Sequence, residues 1–499
     1  MSRPSALHLT GADARREQEE VARWLLDSLG PAYGPHGGLA LVRGADGTDA
    51  LVPGGAAALR EAAADHPAIQ PYIEAAASLH ALHGDGATGA LLLAADLVVR
   101  GLDAAREGVP VASFLEGLEL ARRQAAARLG GLAEADRAQG VAALDQVAPD
   151  APAGTAAVVL QRLPELVRDG RLDLELVDVV VASGGGETAA AWLPGTLLAP
   201  RGDRKADATK LPPGPTGLVL LGDGALRTGD VHARFRNPAD RLTWERHEER
   251  RVADTAAAVA EHGIGVVACA RGLPDQLADR LEAAGVVVAT DVRRSTMERL
   301  ARSTGAAPVP DWRSLEPSAV AQVHVEAWRD QWLVRGDGPA ATLWLPVAHD
   351  GRAKLLEAEA EALLRAAGKF LAEARVVPGG GRWQRALAAD LARVADHAPD
   401  KAPYGIQAAG AALGSLADRL VANGGGDPLA VPLLADASAV WDVAATAKAT
   451  VAAGFDLART VLRLDARLMR QGSTAVGLRG SAGKVGSPSG LPGDVPPHI

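Results

Sequence analysis

At 499 residues the chain is longer than one hydrophobic core ordinarily serves, which predicts two to four domains. With 48% hydrophobic and 23% charged residues it lies well away from the disordered regime. Its 52 basic and 61 acidic residues give a net charge of -9 without blocks of one sign, which argues against nucleic acid or another polyanion as partner.

From Glu17 to Leu29 apolar residues recur at helical spacing, and Gly30-Pro31 stops the helix. Two short apolar runs follow, Leu39 to Val42 and Ala50 to Val52, separated by the turn-rich Arg43 to Asp49, and they predict a β-hairpin. Alanine-rich periodic segments then run from Ala56 to Leu132, with breaks at His66-Pro67, His83 to Gly86 and Gly108 to Pro110.

After Val147 the character changes. The apolar runs Leu218 to Leu221, Ile264 to Ala270 and Gly285 to Ala289 alternate with helical patterns at Arg250 to Glu261 and Leu273 to Ala284, which predicts an α/β domain with parallel strands. The single cysteine, Cys269, lies in one of these runs, where it reads as a small buried strand residue and excludes an intramolecular disulfide. Beyond a strand at Ala341 to Leu345 the helical character returns from Ala353 to Arg470, with a further strand expected at Ala466 to Arg470. Two helical parts flanking an α/β middle imply an inserted domain. The tail from Gln471 to Ile499, rich in Gly, Ser and Pro, is expected to be disordered. Met1 to Arg16 holds no apolar stretch of signal-peptide length, and no apolar run approaches the roughly 20 residues of a membrane span, so the expectation is a cytoplasmic protein without membrane contact.

Two glycine motifs need weighing. Gly84-Asp85-Gly86-Ala87-Thr88-Gly89 matches the dinucleotide fingerprint in letters, but the segment before it is helical rather than a strand, which removes that reading. The motif does open the apolar helix Ala90 to Leu102, so its N–H groups and the Thr88 hydroxyl stand where phosphate is favoured, and Asp85 offers a carboxylate to magnesium. A ligand-free Asp/Gly turn is the alternative. Gly480-Ser-Ala-Gly-Lys484 resembles a P-loop but lacks its first glycine and the following Ser/Thr. His-Glu-x-x-His and Cys-x-x-Cys spacings are absent from the sequence.

Several segments in order resemble the group II chaperonins, the thermosomes of archaea and the eukaryotic cytosolic chaperonin. They are Leu29-Gly30-Pro31 with its hairpin, His66-Pro67, Gly84-Asp85-Gly86, the stretch Val292 to Ala306, Val376 to Gly381, Asn423 to Pro428 and Val461 to Asp465. The resemblance implies a multidomain α+β/α chaperonin subunit with a mainly helical equatorial domain (1–146 and 377–475), a hinge-like intermediate domain (147–211 and 347–376), an inserted α/β apical domain (212–346) and a tail (476–499). It implies ATP and magnesium as cofactors, held at Leu29, Gly30, Pro31, Gly84, Asp85, Gly86, Ala87, Thr88, Gly89, Gly380 and Asp442, with Asp85 as metal ligand. It implies a homo- or hetero-oligomeric ring, joined partly through the hairpin and the Ala466 to Arg470 strand, acting on unfolded protein clients. Leu242 and Trp244, in a segment comparable to the family's apical protrusion (Arg234 to Trp244), are candidate client contacts, with packing in the apical core as the alternative.

The same resemblance marks departures. Gly54 stands where the family carries an aspartate near the phosphates, and Ala362 where it carries the aspartate that orients water. Glu361 beside it lies roughly 100° around the helix. The segment Pro149 to Gly154 lacks the family's lysine, and Ala87 and Gly89 replace threonines. No residue is therefore assigned a catalytic role, and the expectation is a subunit that binds ATP but hydrolyses it poorly, or a ring-forming scaffold without ATPase activity.

Overall fold

The structure, a computed structural model, describes residues 6–43, 49–52, 54–62, 67–168, 171–183, 188–202, 204–207, 209, 211, 214–222, 238–310, 312, 315–425, 440–464 and 466–470. His66, Arg234 to Asn237, Gly426 to Pro428, Asp465 and the tail from Gln471, with its Gly480 to Lys484 motif, lie outside these residues. The chain divides into two compact units. One combines Met1–Ala143 with Glu373–Ile499, and the other, Leu144–Ala372, is inserted in its sequence.

The first unit is built around the helix Ala87–Arg106. Fifteen of its residues are buried, from Ala87 and Gly89 through the run Leu91-Leu92-Leu93 to Ala104, so it is apolar on all sides and needs neighbours all round. The helices Ala12–Leu29, Gln70–His83, Ala402–Asn423 and Ala444–Leu462 supply them. Small residues set the spacing. A Cβ on Gly117 would overlap the carbonyl oxygen of Ala402, and one on Gly405 would overlap that of Phe114, so the helices Val111–Leu132 and Ala402–Asn423 cross backbone against backbone.

Three small antiparallel pairings complete this unit. Ala6–Thr10 pairs with Ala466–Arg470, and Ala40–Arg43 with Asp49–Val52. Both are two-stranded, and on the hairpin segment Leu39 and Leu41 are 49% and 70% exposed while Val42 turns inward. The third, Val376–Pro378 with Trp441–Val443, sets Asp442 opposite Val377, just ahead of the glycine triplet Gly379 to Gly381.

Among the described residues the inserted unit holds two larger sheets and the short pairing of Val167–Arg168 with Arg171–Leu172. In the seven-stranded sheet, Thr216–Leu221, Ile264–Cys269 and Val287–Ala289 run parallel and are buried at every position, as expected of strands covered on both faces. Cys269 is buried there, and burial pushes its thiol up to about 12. The antiparallel strands Ala321–Trp328, Gln331–Arg335 and Thr196–Leu198 extend the sheet. In the three-stranded sheet Ala341–Val347 lies between Val177–Ser183 and Ala191–Pro194.

One buried ion pair ties a helix of the larger sheet to a strand of the smaller. Arg299, on Arg294–Thr304, lies 3.0 Å from the Asp178 carboxylate and donates to the carbonyls of Glu175 (3.0 Å) and Val177 (3.1 Å). Both side chains are less than a tenth exposed, and Arg293 also reaches the Asp178 carboxylate at 3.3 Å, so it is loss of Asp178 that leaves a buried guanidinium without its carboxylate, at a cost of about 3–5 kcal/mol.

The elements expected from periodicity are present, with displaced ends. The first helix starts at Ala12 rather than Glu17, and the helix expected from Arg250 runs over Pro238–Glu261. Its first half is exposed at nearly every described side chain and so carries no apolar rhythm to read. The sequence reading also leaves out the strands Val177–Ser183, Ala191–Pro194 and Thr196–Leu198. Among the described residues no helix is long and apolar enough to cross a membrane.

Candidate functional site: a cleft between two helix starts

Two of the helices of the first unit that begin at glycines border the residues singled out in the sequence. Gly86 precedes Ala87–Arg106 and Gly381 precedes Arg382–Ala395, each left-handed at φ 86° and neither with a capping side chain on the first-turn N–H groups. Only glycine adopts this geometry freely, and a Cβ on Gly86 would in addition overlap the Thr450 hydroxyl. The helix starts therefore present backbone donors and the positive ends of their dipoles.

The residues singled out in the sequence gather around these starts. Leu29 and Gly30 are buried and Pro31 is exposed, and Gly30–Ala32 forms a single 3-10 turn. Asn423 Nδ2 donates to the carbonyls of Gly30 (2.9 Å) and Tyr33 (2.8 Å) and so fixes the loop. A Cβ on Gly55 would lie 2.9 Å from the Leu29 side chain, and one on Gly54 3.7 Å from Thr88 Oγ1, which links that loop to the Gly84 to Gly89 turn. The Thr88 hydroxyl is engaged, accepting from Ala56 N–H at 3.3 Å. Gly84 ends the preceding helix in the left-handed conformation, while Ala87 and Gly89 are buried. On the other wall Asp442 lies against the triplet, its Oδ1 2.9 Å from where a Cβ on Gly379 would stand, and it accepts from Trp383 Nε1 at 2.7 Å.

The carboxylates explain the electrostatics. Asp85 is reached by solvent yet surrounded by enough protein that burial is the largest influence on it, raising its pKa against a 2.6 Å hydrogen bond from Gly86 N–H. Asp442 is half-buried, and burial, together with the neighbouring Asp85, pushes it up to about 6 despite the Trp383 bond. The Asp85 charge adds to the burial of Asp442, and the Arg382 guanidinium offsets part of it. The guanidinium of Arg382 is turned to the carbonyls of Gly379 (3.1 Å) and Val440 and lies 5.2 Å from the Trp441 ring centre.

Sequence reading misses Tyr33, Trp383, Gln384, Thr446 and Thr450, which line the same space. The signal for Trp383 and Gln384 is their place just after a glycine triplet, in the first turn of a helix. Tyr33 gives no signal, because the residues that surround it are distant in sequence.

The remaining candidates lie in the inserted unit. Ala362 is buried on the helix Ala353–Glu373, and Glu361 is exposed and bonded to Arg365 at 3.1 Å, so it takes no part on the buried face. Glu359, one turn earlier on that face, is 4% exposed and accepts from Asp150 N–H at 3.1 Å, in the segment Pro149 to Gly154. Asp150 pairs in turn with Arg352 at 2.5 Å. Leu242 and Trp244 stand 53% and 39% exposed on the long helix Pro238–Glu261, so the core-packing alternative does not hold for them.

Residues 25–432 match the TCP-1/cpn60 chaperonin family, and the chain belongs to that family. It is a divergent, group II-like member with the fold of a chaperonin subunit. A thermosome subunit of Methanocaldococcus jannaschii is 24% identical over 450 residues, which are 84% of this chain and 81% of that protein. The thermosome beta subunit of Desulfurococcus mucosus is 26% identical over 449 residues, 84% of this chain and 88% of that protein. Among solved structures, a group III chaperonin in the open state aligns with a TM-score of 0.70 at 19% identity, covering 91% of this chain and 98% of that one.

Burial gives Glu359 a testable pH signature. It pushes the carboxyl up to about 7, offset in part by the Asp150 N–H bond and by Arg352, whereas the same group titrates near 4.5 in the unfolded chain. Between those values the folded chain holds the extra proton, so stability falls as pH rises through the window and stays lower above it. Between pH 5 and pH 8, Glu359→Gln should lose about 2–3 kcal/mol less stability than the wild type in urea denaturation. Equal losses in the two proteins would show that Glu359 ionises normally.

Proposed function

We propose that this chain is a subunit of a cytoplasmic chaperonin ring that holds unfolded protein, and that its cleft binds magnesium-ATP but turns it over poorly. The observation that carries the reading is family membership over residues 25–432 on a chaperonin-subunit fold. The boundaries of equatorial, intermediate and apical domains follow the same reading. Asp85 is the proposed magnesium ligand. The Gly86 and Gly381 helix starts, with Leu29 to Pro31, Gly380 and Asp442, are the proposed nucleotide contacts.

Assembly is supported by the hairpin. Unpaired strand edges beside the exposed Leu39 and Leu41 favour pairing with a neighbouring copy. The purified protein should elute as a large particle with ring views in electron micrographs, and deleting residues 39 to 52 should leave monomers. A deletion variant that still elutes as a large particle removes the hairpin from the joint.

Client holding is supported by the exposed Leu242 and Trp244 in the exposed, charge-rich first half of their helix. The particle should suppress aggregation of a chemically denatured protein diluted into buffer, and Leu242→Ser with Trp244→Ser should lose most of that suppression. A ring that leaves aggregation unchanged favours the second reading, a scaffold that keeps the shape without the folding activity.

Poor turnover is supported by Gly54 and Ala362, since phosphoryl transfer depends on positioned water and neutralised charge. Gly54 is left-handed at φ 74°, a conformation aspartate tolerates, and a Cβ there meets only ordinary contact with Thr88. Gly54→Asp combined with Ala362→Asp should raise phosphate release at millimolar magnesium-ATP by about tenfold or more. An unchanged rate would mean that these two positions are not what limits hydrolysis.

A further inference from the structure

The phenol of Tyr33 lies between the two helix starts. Its Cε2 and hydroxyl are 3.1 and 3.3 Å from where a Cβ on Gly89 would stand, in the first turn of Ala87–Arg106. Across the cleft Gln384, in the first turn of Arg382–Ala395, approaches its hydroxyl with Nε2 at 3.5 Å. The side chain is half-buried, and burial, followed by the nearby Asp442 and Asp85, raises its pKa, so the ring is a neutral occupant that brings no positive charge.

The polar atoms around the ring are not satisfied by it. Gln384 is 1% exposed and its Oε1 has no hydrogen-bond partner, and Thr446 is 6% exposed with a partnerless Oγ1. Thr446 borders the Gly86 turn, its methyl 3.1 Å from a Cβ built there. Buried polar atoms without partners mark a place completed by something other than the protein. Both stand beside helix starts whose first-turn N–H groups have no capping side chain.

We propose that Tyr33 is the specificity-determining residue of the cleft. On the reading of the cleft as a nucleotide site, its ring narrows the space beside the helix start that would take the terminal phosphates, so magnesium-ATP still binds but gains little from them over the nucleoside. The ring is held there by its own backbone, because Asn423 anchors the Tyr33 carbonyl at 2.8 Å. The conformation at Tyr33 is extended (φ -89°, ψ 129°), so any residue fits the backbone at this position.

Calorimetry on the full chain with adenosine and with magnesium-ATP tests this. Wild-type dissociation constants for the two ligands should agree within about threefold. Tyr33→Ala should tighten magnesium-ATP about tenfold or more and leave adenosine within about threefold, whereas Tyr33→Phe, which keeps the ring, should behave as the wild type. Adding Asp85→Ala to Tyr33→Ala should cancel the gain, because the magnesium loses its carboxylate. A wild type that binds magnesium-ATP more than about thirtyfold tighter than adenosine overturns the specificity role and leaves the nucleotide reading standing. So does a Tyr33→Ala variant that changes both ligands equally. Absence of binding by either ligand to either protein at millimolar concentration overturns both. Should Tyr33→Ala lose its cooperative unfolding transition, the wild-type ratio decides alone.

Discussion

The helix Ala87–Arg106 is buried at fifteen positions and meets water mainly through Arg100, Asp103 and Arg106, and much of the first unit follows from that. A helix so largely buried must be enclosed by others, and those come from both sides of the insertion: Ala12–Leu29 and Gln70–His83 before it, Ala402–Asn423 and Ala444–Leu462 after it. The two stretches must be formed together before the central helix is covered. The α/β segment between them is thus an excursion from a core that closes only when the chain returns. The pairing of Ala6–Thr10 with Ala466–Arg470 expresses the same closure at its periphery.

The cleft sits at the exposed end of this buried helix. A helix start cannot satisfy its first N–H groups internally, and here glycines stand where capping side chains commonly do. The packing that buries the rest of the helix leaves this start uncapped, with the Asp85 and Asp442 carboxylates and the Arg382 guanidinium nearby.

Much of this is legible in the amino-acid order, for local reasons. Gly30-Pro31 ends a helix, Gly84 to Gly86 joins two, and alanine-rich periodicity marks the helical parts, because each effect acts within a few residues. Asp442 and Asp85 can be named from motifs but not brought together, since their proximity depends on the pairing of Val376–Pro378 with Trp441–Val443. Tyr33 is not legible at all: an aromatic residue after a turn reads equally as core or surface, and only tertiary packing sets it against Gly89 and Gln384. In the inserted unit Glu361 lies beside the lost aspartate in sequence, while the buried carboxylate is Glu359, on the face that the helix turn selects.

The crossing at Gly117 and Gly405 bears on how such a chain can diverge. At most helix contacts a larger side chain on one element can be matched by a smaller one on the other, and relatives with little identity keep the contact by trading volume. Here the obstacle on each side is the opposing backbone carbonyl, at Ala402 and at Phe114, which no substitution can shrink. Neither glycine has a compensating side-chain exchange open to it, so at this crossing any larger residue must push the two helix backbones apart.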